Sequence, residues 1–152
     1  MTAILTDLNW QQAPSRLFYL LDTFQGFPAD QRSIAAEVHR NDYLDDVWPR
    51  VEAHFKQYPP VKLIRGAIPQ TLAQVTTKQI AYLSIDMNCA EPEVAALEYF
   101  WPRMVSGGIV LLDDYAFAEA YRRQKEAIDR WAAPLSLPIL SLPTGQGLLI
   151  KA

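Results

Sequence analysis

Four stretches of the chain are almost continuously apolar and end in an acid or a glycine, and this pattern limits the possible folds more than any other feature. Their sequences are RLFYLLD (16–22), VKLIRG (61–66), IAYLSID (80–86) and GIVLLDD (108–114). Apolar runs of this kind, without alternation, are typical of parallel strands that helices cover on both faces. The sequence therefore predicts a sheet whose strands are buried on both sides.

Segments with helical periodicity lie between these strands. Val47, Val51 and Phe55 follow one another at i, i+4 and i+8, and the proline two residues after Val47 fits the first turn of a helix. EPEVAALEYFWPRM (91–104) and AEAYRRQKEAIDRWAA (118–133) are amphipathic as well. This alternation of strands and helices predicts an α/β fold whose sheet is mostly parallel.

The end of the chain has a different pattern. Two short apolar runs, residues 139–142 and 148–150, flank the sequence PTGQG. Because no helix fits in so short a connection, the two runs are predicted to pair as a C-terminal antiparallel hairpin.

Length, charge and cysteine content restrict the number of domains, the kinds of partner and the cellular compartment. A chain of 152 residues fits one domain, and we expect residues 1–152 to form it. The net charge of −3 gives no electrostatic reason to expect a nucleic acid or an anionic membrane as partner. Cys89 is the only cysteine, which excludes an internal disulfide, and the N-terminus has no signal-peptide pattern; both favour the cytoplasm. No window reaches the ~20 apolar residues of a membrane span.

Acidic residues close three of the four predicted parallel strands. Asp22 ends the first, Asp86 the third, and Asp113 with Asp114 the fourth. Ligands of open α/β sheets bind at the carboxyl ends of the strands, where acids from neighbouring strands meet. Carboxylates that converge there repel one another unless a cation lies among them, and a set of oxygen ligands suits Mg²⁺ better than Zn²⁺.

Each acid also has a purely structural interpretation. An Asp after a strand often caps the next helix by accepting its backbone N–H groups. The carboxylate of Asp22 can accept hydrogen bonds within a turn as readily as from the hydroxyls of a ribose. For the combination of Asp86 with Asp113 and Asp114, however, the sequence favours a metal or ligand site.

Four segments together resemble the macrocin O-methyltransferase family: FYLLDTFQGFP, VKLIRGAIPQTL, YLSIDMNCAEPEVAALEYFWPRMVSGGIVLLDDY and LPTGQGLLIK. The resemblance begins near Leu17 and continues in order through almost the whole chain. It implies a three-layer, Rossmann-like class I methyltransferase fold. It also implies transfer of a methyl group from S-adenosylmethionine to a hydroxyl of a small molecule, of the sugar or phenol type.

The resemblance implies a cofactor site at the ends of the first two predicted strands. The acid that ends the first strand matches the family's acid beside the ribose, and the segment after the second strand matches the part that approaches the adenine. The residues assigned to S-adenosylmethionine in this way are Asp22, Thr23, Phe24, Gly66, Ala67 and Ile68.

The resemblance also implies a metal site. The family holds Mg²⁺ between an acid after its fourth strand and paired acids after its fifth, which match Asp86, Asp113 and Asp114. The first of these acids is a proposed general base, so Asp86 is the implied catalytic residue. Many members carry Asp-Gly-Asp-Trp-Tyr at this point, whereas this chain reads Asp-Met-Asn-Cys-Ala, and the acceptor is therefore left open.

The start of the chain departs from the family. Members begin with a strand, a Gly-rich turn and a helix that hold the methionine half of the cofactor, whereas the earliest glycine here is Gly26. The sequence MTAILTDLNWQQ (1–12) is long enough only for the end of that helix, so we expect the family fold without its first β-α unit. Weak or absent cofactor binding would follow, and a non-catalytic binding or interaction module is the alternative function.

The missing strand is central in the family's strand order, 3-2-1-4-5-7-6. The strands that end at Asp22 and Asp86 would then pair directly, accept a strand from another subunit, or stay split. Because exposed apolar strand edges favour association, we expect a homo-oligomer.

Overall fold

The secondary structure follows the predicted alternation of strands and helices. The computed structural model describes residue 9, residues 15–29, residue 31 and residues 45–152. Its elements are β1 (Phe18–Asp22), α1 (Trp48–Phe55), β2 (Val61–Arg65), β3 (Ile80–Ile85), α2 (Ala90–Phe100), β4 (Met104–Leu112), α3 (Arg122–Ala132), β5 (Leu140–Ser141) and β6 (Gly147–Ile150). The helix end predicted within residues 1–12 lies outside the described residues, except for residue 9.

The strands form two sheets. β1 and β2 pair in parallel as a two-stranded sheet, and the second sheet has the order β3-β4-β6-β5. β3 and β4 are parallel, whereas β6 is antiparallel to both β4 and β5. The α/β class and the C-terminal hairpin are confirmed. The prediction of a mostly parallel sheet is wrong, because β6 inserts between β4 and β5 and both of its pairings are antiparallel.

The sheet is split between β1 and β3, the strands that flank the central strand in the family's strand order. Within the described residues, β1 pairs only with β2, and β3 pairs on one edge only, with β4. The strands that end at Asp22 and Asp86 therefore do not pair directly, and a strand supplied by another subunit stays a prediction. The two sheets still share a hydrophobic core, since Ile64 and Ile68 belong to the same buried cluster as Ile85 and Val110.

One face of the four-stranded sheet packs against α2 and α3, and together they contribute some of the most deeply buried residues of this core. The side chains come from β4, β6, α2 and α3, and each is at most 1% exposed: Val110, Leu112, Leu149, Leu97 and Ile128.

None of the helices described in the structure combines the length and the apolar character that a membrane span requires.

The opposite face of this sheet is partly exposed. Tyr82, Ile109 and Ile150 are 45%, 38% and 60% exposed, and they lie in register across β3, β4 and β6. We call these three residues the exposed row. The prediction that the strands are buried on both faces is therefore wrong for β4, in which Ile109 faces away from the side that buries Val110 and Leu112.

The turn of the hairpin packs closely against the segment that follows β4. A Cβ atom at Gly147 would lie 2.7 Å from Cγ of Tyr115, and one at Gly145 would lie 2.7 Å from Cα of Phe117. The N–H of Ala116 also donates to the carbonyl of Gly145 at 2.7 Å. The two glycines therefore allow the hairpin to cover the residues just after the strand end of β4.

A methyl group at position 147 should disturb this packing. Gly147→Ala is expected to lower the free energy of unfolding by about 1–3 kcal/mol, because the new Cβ overlaps the Tyr115 ring. Urea denaturation followed by circular dichroism measures the change. Ser141→Ala, at the exposed position opposite Gly147 on β5, is the control and should stay within about 0.5 kcal/mol of the wild type. Wild-type stability of Gly147→Ala would contradict the close packing.

Candidate metal and cofactor site

Three carboxylates meet where β3 and β4 end. The parallel register pairs Ile85 with Leu112, and the N–H of Asp113 donates to the carbonyl of Ile85 at 3.0 Å. The residues that follow the two strands are therefore neighbours. Asp86, Asp113 and Asp114 each offer a carboxylate oxygen, and these oxygens lie within 4.8 Å of one another. The structure thus brings together all three residues predicted as metal ligands, while their role as ligands stays a prediction.

The turn after β3 presents Asp86 to solvent. Asp86 is exposed, and Asn88 has a left-handed backbone with φ of 55°, a conformation that Asn tolerates better than most residues. The Nδ2 of Asn88 donates to Oδ1 of Asp86 at 3.4 Å. The N-cap residue of α2 is Cys89, whose side chain makes no capping hydrogen bond, so Asp86 is not the N-cap residue of this helix.

A glutamine from the hairpin orients Asp113. The Nε2 of Gln146 donates to Oδ1 of Asp113 at 2.7 Å, across 33 positions of sequence. Tyr115 anchors the same segment to α3, because its hydroxyl donates to Asp129 at 2.5 Å and accepts from Nζ of Lys125 at 3.1 Å. Sequence reasoning missed these contacts, since no local pattern relates the hairpin turn to the acids.

A fourth carboxyl group lies buried beside the acids. Glu93 of α2 is 5% exposed, and its Oε1 accepts hydrogen bonds from the N–H of Met87 at 3.3 Å and from Nε2 of Gln124 at 3.2 Å. Burial raises the pKa of Glu93 to about 7; the negative charges of Asp114 and Asp86 act in the same direction, and the two hydrogen bonds oppose them. Sequence reasoning missed Glu93, although its position one helical turn before Leu97 places it on the buried face.

Cys89 lies at the start of α2 and is 1% exposed. Its Sγ donates to Oε2 of Glu91 at 3.2 Å. Burial raises the pKa of the Cys89 thiol to about 12, and the carboxylate of Glu91 adds to this shift. Since the thiolate is the reactive form, this cysteine is unsuited to nucleophilic chemistry.

The residues predicted to bind the cofactor lie at the ends of β1 and β2. The register pairs Asp22 with Arg65, and the N–H of Gly66 donates to the carbonyl of Asp22 at 2.9 Å, so the two segments are adjacent. Oδ1 of Asp22 accepts the N–H of Phe24 at 2.6 Å, which is the turn role considered for this acid. A Cβ atom at Gly66 would lie 2.6 Å from Cγ2 of Thr71, so this position requires glycine.

The loop after β1 is fixed to α1 by an aromatic and ionic cluster. The ring of Phe24 packs edge-on against Trp48 at 5.1 Å between centroids. Arg65 donates to Gln25 at 2.5 Å and to Asp46 at 2.9 Å, and its guanidinium lies over the Trp48 ring. The loop that carries Asp22, Thr23 and Phe24 is therefore positioned by contacts with its neighbours.

An open groove lies elsewhere on the protein, between α2 and α3. Its volume is about 930 Å³, and its lining includes Val94, Glu98, Arg123 and Arg130. None of the residues predicted for cofactor or metal binding lines it. We therefore do not assign this groove to the candidate site.

The fold is that of class I methyltransferases. The structure of the O-methyltransferase NovP matches with a TM-score of 0.79 at 22% sequence identity, over 95% of this chain and 64% of that chain. The calicheamicin methyltransferase CalS11 matches with a TM-score of 0.70 at 23% identity, over 90% of this chain and 61% of that chain.

The sequence comparison narrows the class to one family. The model of the family described as macrocin-O-methyltransferase (TylF) matches residues 1–138. The chain belongs to the macrocin-O-methyltransferase family, as the resemblance of its motifs indicated.

Two relatives from this comparison are O-methyltransferases by name. The 8-demethyl-8-(2,3-dimethoxy-alpha-L-rhamnosyl)-tetracenomycin-C 4'-O-methyltransferase of Streptomyces olivaceus is 30% identical, over 67% of this chain and 43% of the relative. Mycinamicin III 3''-O-methyltransferase of Micromonospora griseorubida is 25% identical, over 76% of this chain and 50% of the relative. The chain thus spans about half the length of the curated relatives that it matches.

The buried carboxyl of Glu93 predicts a pH dependence of stability in the presence of a chelator. Its pKa is about 7 in the folded chain and about 4.5 without burial, so the folded state holds the proton more tightly. The raised pKa adds to the free energy of unfolding. This addition is about 3 kcal/mol, is fully present below pH 4.5 and is lost as the pH rises to 7. Urea denaturation between pH 5 and 7 measures how the free energy of unfolding changes with pH. Glu93→Gln should remove the part of this pH dependence that Glu93 causes.

Glu98→Gln provides the matched control for this measurement. It makes the same chemical change at an exposed position of the same helix, and it should retain the wild-type slope. If Glu93→Gln and the wild type lose stability in parallel over this range, the assignment of the slope to Glu93 is wrong.

Proposed function

We propose that this chain carries the site of an S-adenosylmethionine-dependent, Mg²⁺-assisted O-methyltransferase that acts on a hydroxyl of a small molecule, of the sugar or phenol type. The main support is the convergence of three carboxylates at the ends of β3 and β4 in a member of this family. The relatives named as O-methyltransferases support oxygen as the acceptor atom.

The chemistry of the acidic residues fits Mg²⁺. Three carboxylate oxygens within 4.8 Å of one another repel unless a cation lies among them, and oxygen ligands are those that Mg²⁺ prefers. Asp86, Asp113 and Asp114 would hold the ion, and Gln146 would keep Asp113 in its orientation. When bound, Mg²⁺ would lower the pKa of the acceptor hydroxyl and direct its oxygen.

We assign removal of the acceptor's proton to Asp86. It is the exposed member of the three acids, so a small molecule can approach it from solvent. Its carboxylate would take the hydroxyl proton as the acceptor oxygen forms its new bond to carbon. S-adenosylmethionine would supply the methyl group, and breaking its sulfur–methyl bond would release S-adenosylhomocysteine.

We assign S-adenosylmethionine to the ends of β1 and β2. Both hydrogen bonds that Asp22 accepts within its turn go to Oδ1, so Oδ2 can accept from a ribose hydroxyl. Thr23 and Phe24 belong to the same turn, and residues 66–68 would approach the adenine.

A non-catalytic binding or interaction module is the second candidate. It is favoured by the split between the sheets, because the cofactor half and the metal half share no strand pairing within the described residues. In either case we propose that residues 1–152 act as one domain, since a common core joins both sheets. The proposed setting is the cytoplasm, in keeping with a single free cysteine.

Loss of one acidic ligand should weaken metal binding. Asp113→Asn is expected to reduce the affinity for Mn²⁺, used as a spectroscopic substitute for Mg²⁺, at least about tenfold. Electron paramagnetic resonance measures the free ion in a titration. Asp45→Asn, the same change at an exposed acid before α1, should bind Mn²⁺ like the wild type. Equal affinity of Asp113→Asn and the wild type would contradict the metal site.

Titration calorimetry with S-adenosylhomocysteine distinguishes the two candidate functions. A Kd in the micromolar range would support the enzyme, and Asp22→Asn should then weaken binding about tenfold, because a hydrogen bond to a charged group contributes roughly 1.5–3 kcal/mol. Asp45→Asn again serves as the control. A folded wild-type chain that releases no heat with this ligand would favour the interaction module instead.

We also propose that the chain self-associates through the exposed row. Tyr82, Ile109 and Ile150 form a continuous apolar strip, and a second copy of this face would cover it. Ile150→Lys should shift the chain toward the monomer in sedimentation equilibrium. Leu135→Lys places the same charge at an exposed apolar position after α3 and should leave the association unchanged. A wild-type chain that is monomeric at high concentration would refute this proposal.

A further inference from the structure

A buried polar relay connects α3 to the turn that carries Asp86. The Nε2 of Gln124 donates to Oε1 of Glu93 at 3.2 Å, and the same oxygen accepts the N–H of Met87 at 3.3 Å. Gln124 is 2% exposed and Glu93 is 5% exposed. One carboxylate oxygen thus links a helix of the core to the residue that directly follows Asp86.

We propose that Glu93, oriented by Gln124, is a positioning residue that fixes the Asp86 turn for metal binding. This inference rests on the proposed function, because it assumes that Asp86 is a metal ligand. Glu93 touches the backbone of Met87 and would act on the ion only through the placement of Asp86.

The backbone of Asp86 is held differently from that of Asp113. Asp113 continues the strand ladder through its N–H bond to Ile85 and is also held by Gln146. Asp86 follows the last residue of β3 and lies in a turn with an Asn in the left-handed conformation. Loss of the hydrogen bond from Met87 to Glu93 would let the turn move relative to Asp113, which costs affinity for a small cation with strict geometry.

Packing alone does not account for a carboxyl group at position 93. The other buried residues of α2 are apolar: Pro92, Ala96, Leu97 and Phe100. An apolar side chain at this place would avoid the desolvation of a carboxyl group, and it would leave the Met87 N–H and the Gln124 amide without their acceptor. The carboxyl group of Glu93 therefore accepts hydrogen bonds from the turn and from Gln124, although its burial carries a desolvation cost that an apolar side chain would avoid.

The experiment compares Glu93→Met, which removes the acceptor at similar size, with Glu93→Gln, which keeps an amide oxygen. Amide exchange by nuclear magnetic resonance should show the Met87 N–H exchanging about tenfold faster in Glu93→Met and near the wild-type rate in Glu93→Gln. The N–H of Asp113, bonded to Ile85, should be unchanged in both.

Metal affinity provides the second readout, with Mn²⁺ as the probe. Glu93→Met is expected to bind Mn²⁺ roughly ten- to a hundredfold more weakly, as found for groups that orient metal ligands, and Glu93→Gln within about threefold of the wild type. Leu97→Val, a buried change one helical turn further along α2, controls for general loosening of the helix and should retain both the affinity and the Met87 exchange rate.

Each outcome decides the inference. If the wild type binds Mn²⁺ and Glu93→Met binds it equally well, Glu93 is not a positioning residue, and the proposed metal site stands. An equal loss of affinity in Leu97→Val and Glu93→Met would also overturn the inference, because helix stability would then be the cause. If the wild type binds no Mn²⁺, the proposed metal site and this inference both fail.

Discussion

The parallel pairing of β3 with β4 is the interaction on which the candidate site depends. It aligns Ile85 with Leu112, and the hydrogen bond from the Asp113 N–H to Ile85 extends the ladder one residue beyond the strands. The same register directs Val110 and Leu112 into the core. A slip by one residue would expose that apolar pair and separate the acids, so the hydrophobic core and the carboxylate cluster are specified together.

The C-terminal hairpin, like the pairing of β3 with β4, helps to position the acids. β6 pairs with the free edge of β4, and its first residue, Gly147, leaves room for the ring of Tyr115. The turn before it supplies Gln146 to Asp113, while Tyr115 is bonded to α3 through Asp129. β4 is therefore held on both edges, by β3 on one side and by the C-terminal hairpin on the other, and these contacts position the acids that follow it.

Local sequence patterns predict the strands and the acids well, because each depends on a short segment. An apolar run that ends in Asp places that Asp at a strand end, and parallel neighbours bring Asp86 to Asp113. Glu93 was missed because only acids at strand ends were considered as site residues, although its spacing from Leu97 places it on the buried face. The contact from Gln146 to Asp113 could not be predicted, since it depends on how the hairpin turn lies over β4.

Prediction also failed where a property belongs to the whole sheet. Burial of Ile109 was expected from the apolar run around it, yet burial depends on what covers that face, and in the described chain the residue is 38% exposed. The position of β6 between β4 and β5 agrees with the family's strand order, whereas its antiparallel pairing with β4 departs from the mostly parallel sheet that the apolar runs predicted.

The split sheet has a consequence for how the two halves of the site are coupled. The cofactor candidates lie on a two-stranded sheet, a unit that has little stability by itself, and the acids lie on the four-stranded sheet. Within the described residues the halves are joined by side-chain packing, in which Ile64 and Ile68 meet the cluster of Ile85 and Val110. Packing restrains relative position less strictly than a shared hydrogen-bonded ladder does. On the proposed function, a shift of the cofactor half would leave the acidic cluster, fixed by β4 and the hairpin, in place, so metal binding and nucleoside binding would be separable.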